Sequence, residues 1–148
     1  MSQAPEKVNT GGRGPDELIV MLKEAQQKEG YLSRETITGL AEALGLPPSQ
    51  VYGVASFYSF LVIRPLGRHV IRVCQSLPCY LKNSVGILEA INRAIGLRPG
   101  ETTADGRFSL ELTNCIGLCD QAPAMMINDD VHGDLTPEKI ARILENYQ

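Results

Sequence analysis

The chain has 148 residues, a formal net charge of −3 and a pI of about 5.4. This length suits one domain, or one domain with a small appendage. The acidic balance, the absence of Trp and an aromatic content of only 5% argue against a basic, base-stacking surface, so we expect no nucleic-acid partner. There is no run of about 18 apolar residues and no signal-peptide core at the N-terminus. We therefore expect a cytoplasmic protein with no direct membrane insertion.

The first part of the chain has the pattern of a helical bundle. Residues 1–14 are polar and rich in glycine near their end, which predicts a flexible tail. Residues 15–61 then carry apolar side chains at helical spacing. Gly30 and Gly45 are expected to end the first two helices, and Ser33 is expected to cap the second. A third helix is expected after the Leu46-Pro47-Pro48-Ser49 turn.

Aromatic residues are concentrated around the end of the third predicted helix. Phe57, Tyr58 and Phe60 lie close together there. We expect them to pack in the core, as most large apolar side chains do. Part of this surface could instead contact a partner, because aromatic residues are enriched at interfaces.

The pattern changes after residues 62–68, which are interpreted as a linker. Residues 69–148 predict an α/β domain in the order β-α-β-β-α, with a possible fourth strand. A β-branched strand at residues 69–73 leads into Cys74, and residues 108–113 alternate as a half-buried strand with its polar side chains facing solvent. The other predicted elements are a helix capped by Asn83 or Ser84 and ended by Gly96, a strand at residues 124–127, a return strand at Val131-His132 and a last helix starting at Thr136-Pro137.

All four cysteines lie in this second part, in two close pairs. Cys74 and Cys79 have four residues between them, Cys115 and Cys119 have three, and thirty-five residues separate the pairs. Both pairs are predicted to lie in loops that leave strand ends, so they can converge at one end of the sheet. The neighbours expected to exclude water from this site are Leu77, Tyr80, Ile116, Leu118 and Ala122.

Paired thiolates favour a metal centre. Cysteine thiolates are soft ligands that select zinc, copper(I) or iron–sulfur clusters, and a two-iron cluster takes four of them. Structural zinc is an alternative, since its sites also carry four Cys or His ligands. Disulfides would need an oxidising compartment, and four inert buried thiols remain a further alternative. His69 and His132 are interpreted as structural or surface residues.

Several motifs together resemble the thioredoxin-like 2Fe-2S ferredoxin family. They are the Cys-x4-Cys pair, Cys-Ile-Gly-Leu-Cys-Asp-Gln-Ala-Pro at residues 115–123, Val-Tyr-Gly-Val-Ala-Ser-Phe-Tyr at residues 51–58, Ile-Asn-Asp-Asp at residues 127–130 and Leu-Thr-Pro-Glu-Lys at residues 135–139. The resemblance covers about residues 15–146. It implies a thioredoxin-like domain behind a helical extension.

The resemblance also implies a cofactor and partners. It implies one 2Fe-2S cluster bound by Cys74, Cys79, Cys115 and Cys119. It further implies a flavoprotein partner subunit that binds FMN and NAD(H), together with further iron–sulfur or hydrogenase subunits. The chain is thereby interpreted as an electron-transfer subunit of a multisubunit NADH-dependent oxidoreductase.

The resemblance leaves several host complexes open. The sequence ends directly after its last predicted helix, which favours a soluble NAD-dependent, electron-bifurcating hydrogenase. The alternatives are respiratory NADH:quinone oxidoreductase, an NAD-dependent formate dehydrogenase and, in another class, a structural zinc module. Because the sequence has no nicotinamide fingerprint, flavin motif or acid–base constellation, we expect no turnover from the isolated chain.

Overall fold

A computed structural model describes residues 12–147 of the chain. Residues 1–11, which form most of the predicted flexible tail, and residue 148 lie outside the described part. The chain divides between Pro65 and Leu66 into two compact units. Across residues 12–147, no helix combines the length and the apolar character needed to cross a membrane.

The first unit is helical, as its sequence predicts. Gly30 and Gly45 end the first two helices with φ angles of +81° and +64°, the left-handed conformation that favours glycine. Ser33 caps the second helix, where its side chain accepts a hydrogen bond from the Thr36 N–H. A short 3-10 turn, Pro15–Glu17, precedes the first helix. The helices are α1 (Leu18–Glu29), α2 (Arg34–Leu44) and α3 (Pro48–Phe57).

The chain that leaves α3 is held against α1 by one side chain. The Gln26 amide donates to the Phe60 carbonyl at 2.8 Å and accepts from the Val62 N–H at 2.6 Å. Leu61 and Val62 are each only 8% exposed. The segment interpreted as a linker therefore begins with a residue that is packed and hydrogen-bonded.

The aromatic side chains around the end of α3 are not in the core. Phe57 is 80% exposed, Tyr58 43% and Phe60 47%, so the expectation of core packing was wrong for all three. Val51 and Ala55 form the buried face of α3, and Phe57 lies on the other side of the helix, since about 3.6 residues make one turn. Tyr58 leaves the helical path because its backbone is extended.

The second unit contains a four-stranded sheet in the order β2-β1-β3-β4. Strands β1 and β2 are parallel, whereas β1 with β3 and β3 with β4 are antiparallel. The predicted α/β class, with helices preceding the sheet, is confirmed. The elements are β1 (His69–Cys74), α4 (Leu77–Leu81), α5 (Ser84–Ile95), β2 (Phe108–Thr113), β3 (Met125–Ile127), β4 (Asp130–His132) and α6 (Pro137–Glu145).

One face of the sheet carries the main core of this unit. Ile71 and Val73 of β1 are separated by Arg72, so they share one face of the sheet, and both are at most 1% exposed. They pack with residues of β2 and β3 and with the apolar faces of α5 and α6. Full burial of such a side chain contributes about 1.5–3 kcal/mol. The members of the cluster that are at most 1% exposed are Ile71, Val73, Ile87, Ile91, Phe108, Leu110, Met125, Ile127 and Ile140.

The polar face of β2 is more buried than predicted. Ser109 and Thr113 are at most 1% exposed, so the expectation that they face solvent was wrong. The Ser109 hydroxyl accepts from the Gly67 N–H at 2.7 Å and lies 2.6 Å from the Thr102 hydroxyl. Gly67 permits this approach, because a Cβ there would lie 2.9 Å from the Gly106 carbonyl oxygen. Hydrogen bonding thus offsets the cost of burying the Ser109 hydroxyl.

Tyr147, which follows α6, contacts side chains of β1 and β4. The Tyr147 hydroxyl donates to the Asp130 carboxylate at 2.8 Å and lies 3.0 Å from His132 Nε2. The His69 ring meets the Tyr147 ring edge-on at 5.4 Å. Burial, followed by the hydrogen bond to Asp130 and its charge, raises the pKa of Tyr147 to about 12. His69 begins β1, at the end of the sheet opposite Cys74, whereas His132 pairs with Met125 of β3, the register partner of Val73.

Candidate metal centre

Parallel pairing of β1 and β2 brings the two cysteine segments to one end of the sheet. Cys74 is the last residue of β1, and its partner in β2 is Thr113. Cys115 follows Thr113 by two residues. Because the carboxyl ends of parallel strands lie at the same edge, both segments leave the sheet together.

The first pair is built into regular secondary structure. Cys74 is 1% exposed and Cys79 is 2% exposed. Cys79 lies in the short helix α4, not in the loop that its sequence predicted. The helix starts there because Ser76 is extended at the N-cap and Pro78 occupies the first turn, where the missing N–H has no cost.

An apolar shell surrounds the first pair. Cys74 and Cys79 pack with Ala124, and the partly buried side chains of Ile116, Leu118 and Ala122 complete the cluster. These three residues occupy the place predicted for them. Leu77 and Tyr80 do not, since they are 67% and 59% exposed.

The second pair lies in an exposed loop. The Sγ atoms of Cys115 and Cys119 are 3.3 Å apart. Gly117 lies between them with a φ angle of +87°, and its N–H donates to Cys115 Sγ at 3.4 Å. This backbone hydrogen bond, with a second from the Cys119 thiol, lowers the pKa of Cys115. The hydrogen bond between the two thiols raises the pKa of Cys119. Desolvation and the negative charges of Cys115, Cys74 and Asp120 raise it further.

The two pairs are near enough to influence each other. Burial raises the pKa of Cys79 first, and the hydrogen bond to Cys74 and the charges of Cys74 and Cys119 raise it further. The charge of Cys74 likewise contributes to the raised pKa of Cys119. Four thiolates at this end would repel one another, and a bound cationic centre would relieve that repulsion.

The donor set fits a two-iron cluster. Such a cluster takes four cysteine thiolates, and the site offers four thiols in two pairs. Within residues 12–147, no three or more His, Cys, Asp or Glu side chains are grouped in a way that would hold a single metal ion.

Ala124 links both cysteines of the first pair, a role that sequence reasoning missed. Its carbonyl accepts from the Cys74 N–H at 3.1 Å. Ala124 also acts on Cys79, where its backbone opposes part of the rise in the pKa that burial and Cys74 cause. No local signal identifies this role, because it depends on β3 pairing beside β1.

A mixed α/β sheet with paired thiols at one end is an arrangement that suits a metal–thiolate centre. The family model described as thioredoxin-like 2Fe-2S ferredoxin matches residues 4–148, and the chain belongs to this family. The resemblance predicted from its motifs is therefore confirmed. Membership implies one 2Fe-2S cluster.

The relatives are components of oxidoreductase complexes. A subunit of NADH-quinone oxidoreductase from Pseudomonas aeruginosa is 46% identical over 129 residues, which is 87% of this chain and 78% of that protein. The same subunit from Escherichia coli K12 is 45% identical over 130 residues, which is 88% of this chain and 78% of that protein. An NAD+-reducing NiFe-hydrogenase in the H2-reduced state matches with a TM-score of 0.75 and 30% identity. That match covers 89% of this chain and 22% of the hydrogenase chain.

Proposed function

We propose that the chain is the 2Fe-2S electron-transfer subunit of an NADH dehydrogenase module, and that Cys74, Cys79, Cys115 and Cys119 bind its cluster. The observation that carries this proposal is the convergence of two thiol pairs at one end of the sheet. Family membership supports the same cofactor.

The pairing of the thiols supports one pair of ligands for each iron. The Sγ atoms of Cys115 and Cys119 are 3.3 Å apart. Burial and then the neighbouring Cys74 thiol raise the pKa of Cys79. A bound 2Fe-2S cluster supplies one-electron chemistry. The chain supplies the thiolates, the apolar shell around the first pair and the backbone N–H groups beside the sulfurs. Burial and hydrogen bonds of this kind tune cluster potential.

The partner in this proposal is a flavoprotein subunit that binds FMN and NADH. A hydride carries two electrons and is handled by nicotinamide and flavin cofactors, for which the sequence has no binding motif. A candidate docking surface lies directly beside the first cysteine pair. We call it the α4 patch; its exposed apolar members are Leu77, Tyr80 and Leu81 of α4, together with Val85 at the start of α5.

A second candidate surface lies in the helical unit. Phe57, Phe60 and Tyr52 are 80%, 47% and 51% exposed, and aromatic residues are enriched at interfaces.

Replacing Leu77 and Leu81 of the α4 patch together by Ser is expected to reduce co-purification with the flavoprotein. Val131→Ser is the matched control, since Val131 is also exposed but lies on the edge strand β4.

The host complex we propose is an NADH-quinone oxidoreductase. Its support is the identity of 45–46% to a subunit of such enzymes over most of the chain. The sequence-based preference for a hydrogenase receives no specific support, because the hydrogenase match is only 30% identical. An NAD+-reducing hydrogenase stays the second candidate, given the TM-score of 0.75 over 89% of the chain.

The test is anaerobic purification of the native protein. We expect a coloured protein with iron and acid-labile sulfide, and an EPR signal after dithionite reduction. The isolated, flavin-free chain should neither consume NADH nor reduce a dye with it. Mass spectrometry of co-purifying subunits would separate the two host complexes. A colourless protein with stoichiometric zinc would overturn the proposal.

A further inference from the structure

Gly117 has a backbone conformation that steric crowding does not explain. Its φ angle is +87°, and a Cβ built at this position would meet no heavy atom within 4 Å. Glycine is therefore not needed here for close approach of a neighbour. What the position requires is the left-handed conformation, which L-residues with a branched Cβ rarely adopt.

At the candidate centre, the Gly117 N–H donates to Cys115 Sγ at a distance of 3.4 Å. The left-handed φ follows this N–H and lies between Cys115 and Cys119, whose Sγ atoms are 3.3 Å apart, so a change of φ here has to be absorbed within this short segment. Cys115 belongs to the exposed thiol pair. Neither Cys115 nor Cys119 is part of the apolar cluster that surrounds Cys74 and Cys79. Water can also reach this sulfur, but a water molecule has no fixed orientation. The Gly117 N–H is a hydrogen-bond donor that the backbone holds in one direction.

We propose that Gly117 is a positioning residue that raises the reduction potential of the cluster by aiming its N–H at Cys115. The inference rests on the proposed function. When one electron is added to the centre from an external reductant, the total charge of the irons, sulfides and thiolates becomes more negative by one. A hydrogen-bond donor at a thiolate sulfur stabilises the more negative state more strongly. Hydrogen bonds to the sulfurs are among the features that set cluster potentials.

The test compares two glycines that share a backbone conformation. Gly96, which ends α5 in the same unit, has a φ angle of +70° and likewise has open space where a Cβ would lie. Gly117→Val and Gly96→Val should therefore suffer a similar backbone penalty. Gly117→Asn is the third variant, because Asn tolerates the left-handed conformation.

The measurement is a redox titration of the cluster-loaded, full-length proteins followed by EPR, with thermal unfolding recorded in parallel. We expect the midpoint potential of Gly117→Val to shift to more negative values, while Gly117→Asn keeps the wild-type midpoint. Gly96→Val should lose thermal stability without moving the midpoint. In deuterium-exchanged wild-type protein, pulsed EPR should detect an exchangeable hydrogen near the cluster that Gly117→Val loses.

An unchanged midpoint in Gly117→Val, or an equal shift in Gly96→Val, would overturn the inference. If Gly117→Val does not retain its cluster, Gly117→Ala is titrated in its place and the same criteria apply. Failure of the proposed function looks different, because the wild-type protein would then contain no acid-labile sulfide and give no EPR signal.

Discussion

The two cysteine segments leave the sheet at the same end but are held in different ways. Cys74 closes a central strand, Cys79 lies in α4, and both are buried. Cys115 and Cys119 lie in an exposed loop, and Cys119 begins a short 3-10 helix. The first pair is therefore positioned by the core, whereas the second is positioned by local backbone conformation.

The second segment is nonetheless anchored at its far end. The Asp134 N–H donates to the Gln121 carbonyl at 2.6 Å, and the Leu135 N–H donates to the Pro123 carbonyl at 3.1 Å. The loop is thus exposed at its two thiols and held by backbone hydrogen bonds where the chain returns to β3. Burial can therefore protect one half of a centre while the other half stays accessible to a partner.

Loss of a ligand is expected to have the largest effect. Replacing any one of the four cysteines by Ala should abolish stable iron and acid-labile sulfide, because one iron would lose a thiolate. The pairs should differ in the metal-free protein. Cys74→Ala and Cys79→Ala remove buried atoms and should cost about 0.5–3 kcal/mol of unfolding free energy, whereas Cys115→Ala and Cys119→Ala should stay within about 0.5 kcal/mol.

Iron and sulfide assays, EPR and urea unfolding of the metal-free variants would measure these effects. A variant that keeps full iron, full sulfide and the wild-type spectrum would remove that cysteine from the ligand set. Equal stability losses for all four variants would break the comparison between the pairs.

The next largest effect concerns the sheet that brings the pairs together. Leu110 of β2 is fully buried, so Leu110→Ala should cost about 2–5 kcal/mol of unfolding free energy. Leu81→Ala is the control, since Leu81 is 72% exposed, and it should change stability by no more than about 0.5 kcal/mol. Urea unfolding measures both. Comparable losses would mean that Leu110 does not hold the core as described.

Thiol reactivity sharpens the comparison without any substitution. In the metal-free folded protein, iodoacetamide should alkylate Cys115 and Cys119 well before Cys74 and Cys79, because only the second pair is exposed. Time-resolved peptide mass spectrometry would give the order. Urea should abolish the difference between the pairs, and uniform labelling of the native protein would contradict it.

The smallest expected effect lies at the opposite end of the sheet. Tyr147→Phe removes the hydrogen bond to Asp130 and should cost about 0.5–1.5 kcal/mol at neutral pH. The cluster potential should not change.

The same tyrosine predicts a pH dependence. Its pKa of about 12 in the folded chain exceeds the unperturbed value of about 10. The folded state therefore binds more protons between these values, and stability should fall as pH rises from about 10 to about 12. Unfolding curves for Tyr147→Phe should lack this part of the alkaline loss. An identical pH profile for both proteins would contradict the assignment.

Local signals in the sequence were enough for most element boundaries. Gly30, Gly45 and Gly96 end helices because a left-handed residue stops the helical path, and that signal is readable without any tertiary contact. The alternation of residues 108–113 likewise predicted β2. The convergence of the two cysteine segments followed from placing each after a strand.

What the sequence did not predict depends on tertiary contacts. Ser109 is buried because Gly67 and Thr102 hydrogen-bond its hydroxyl, and nothing in the alternation of β2 signals that. The exposure of Phe57 reflects which face of α3 packs, a choice that hydrophobicity alone leaves open. The paired roles of Ala124 require β3 beside β1, and strand order is not a local property.

The parallel pairing of β1 with β2 also bears on the order of events during maturation. A bridge between Cys79 and Cys115 closes a segment of thirty-five intervening residues. Bringing such ends together in an unfolded chain has an entropic cost that grows with the logarithm of the segment length. In this chain the parallel pairing of β1 and β2 brings the two segments together in the folded protein, before iron is bound. We therefore expect cluster insertion to act on folded protein and to begin at the accessible thiols, so that its rate reports delivery of iron and sulfide instead of chain collapse.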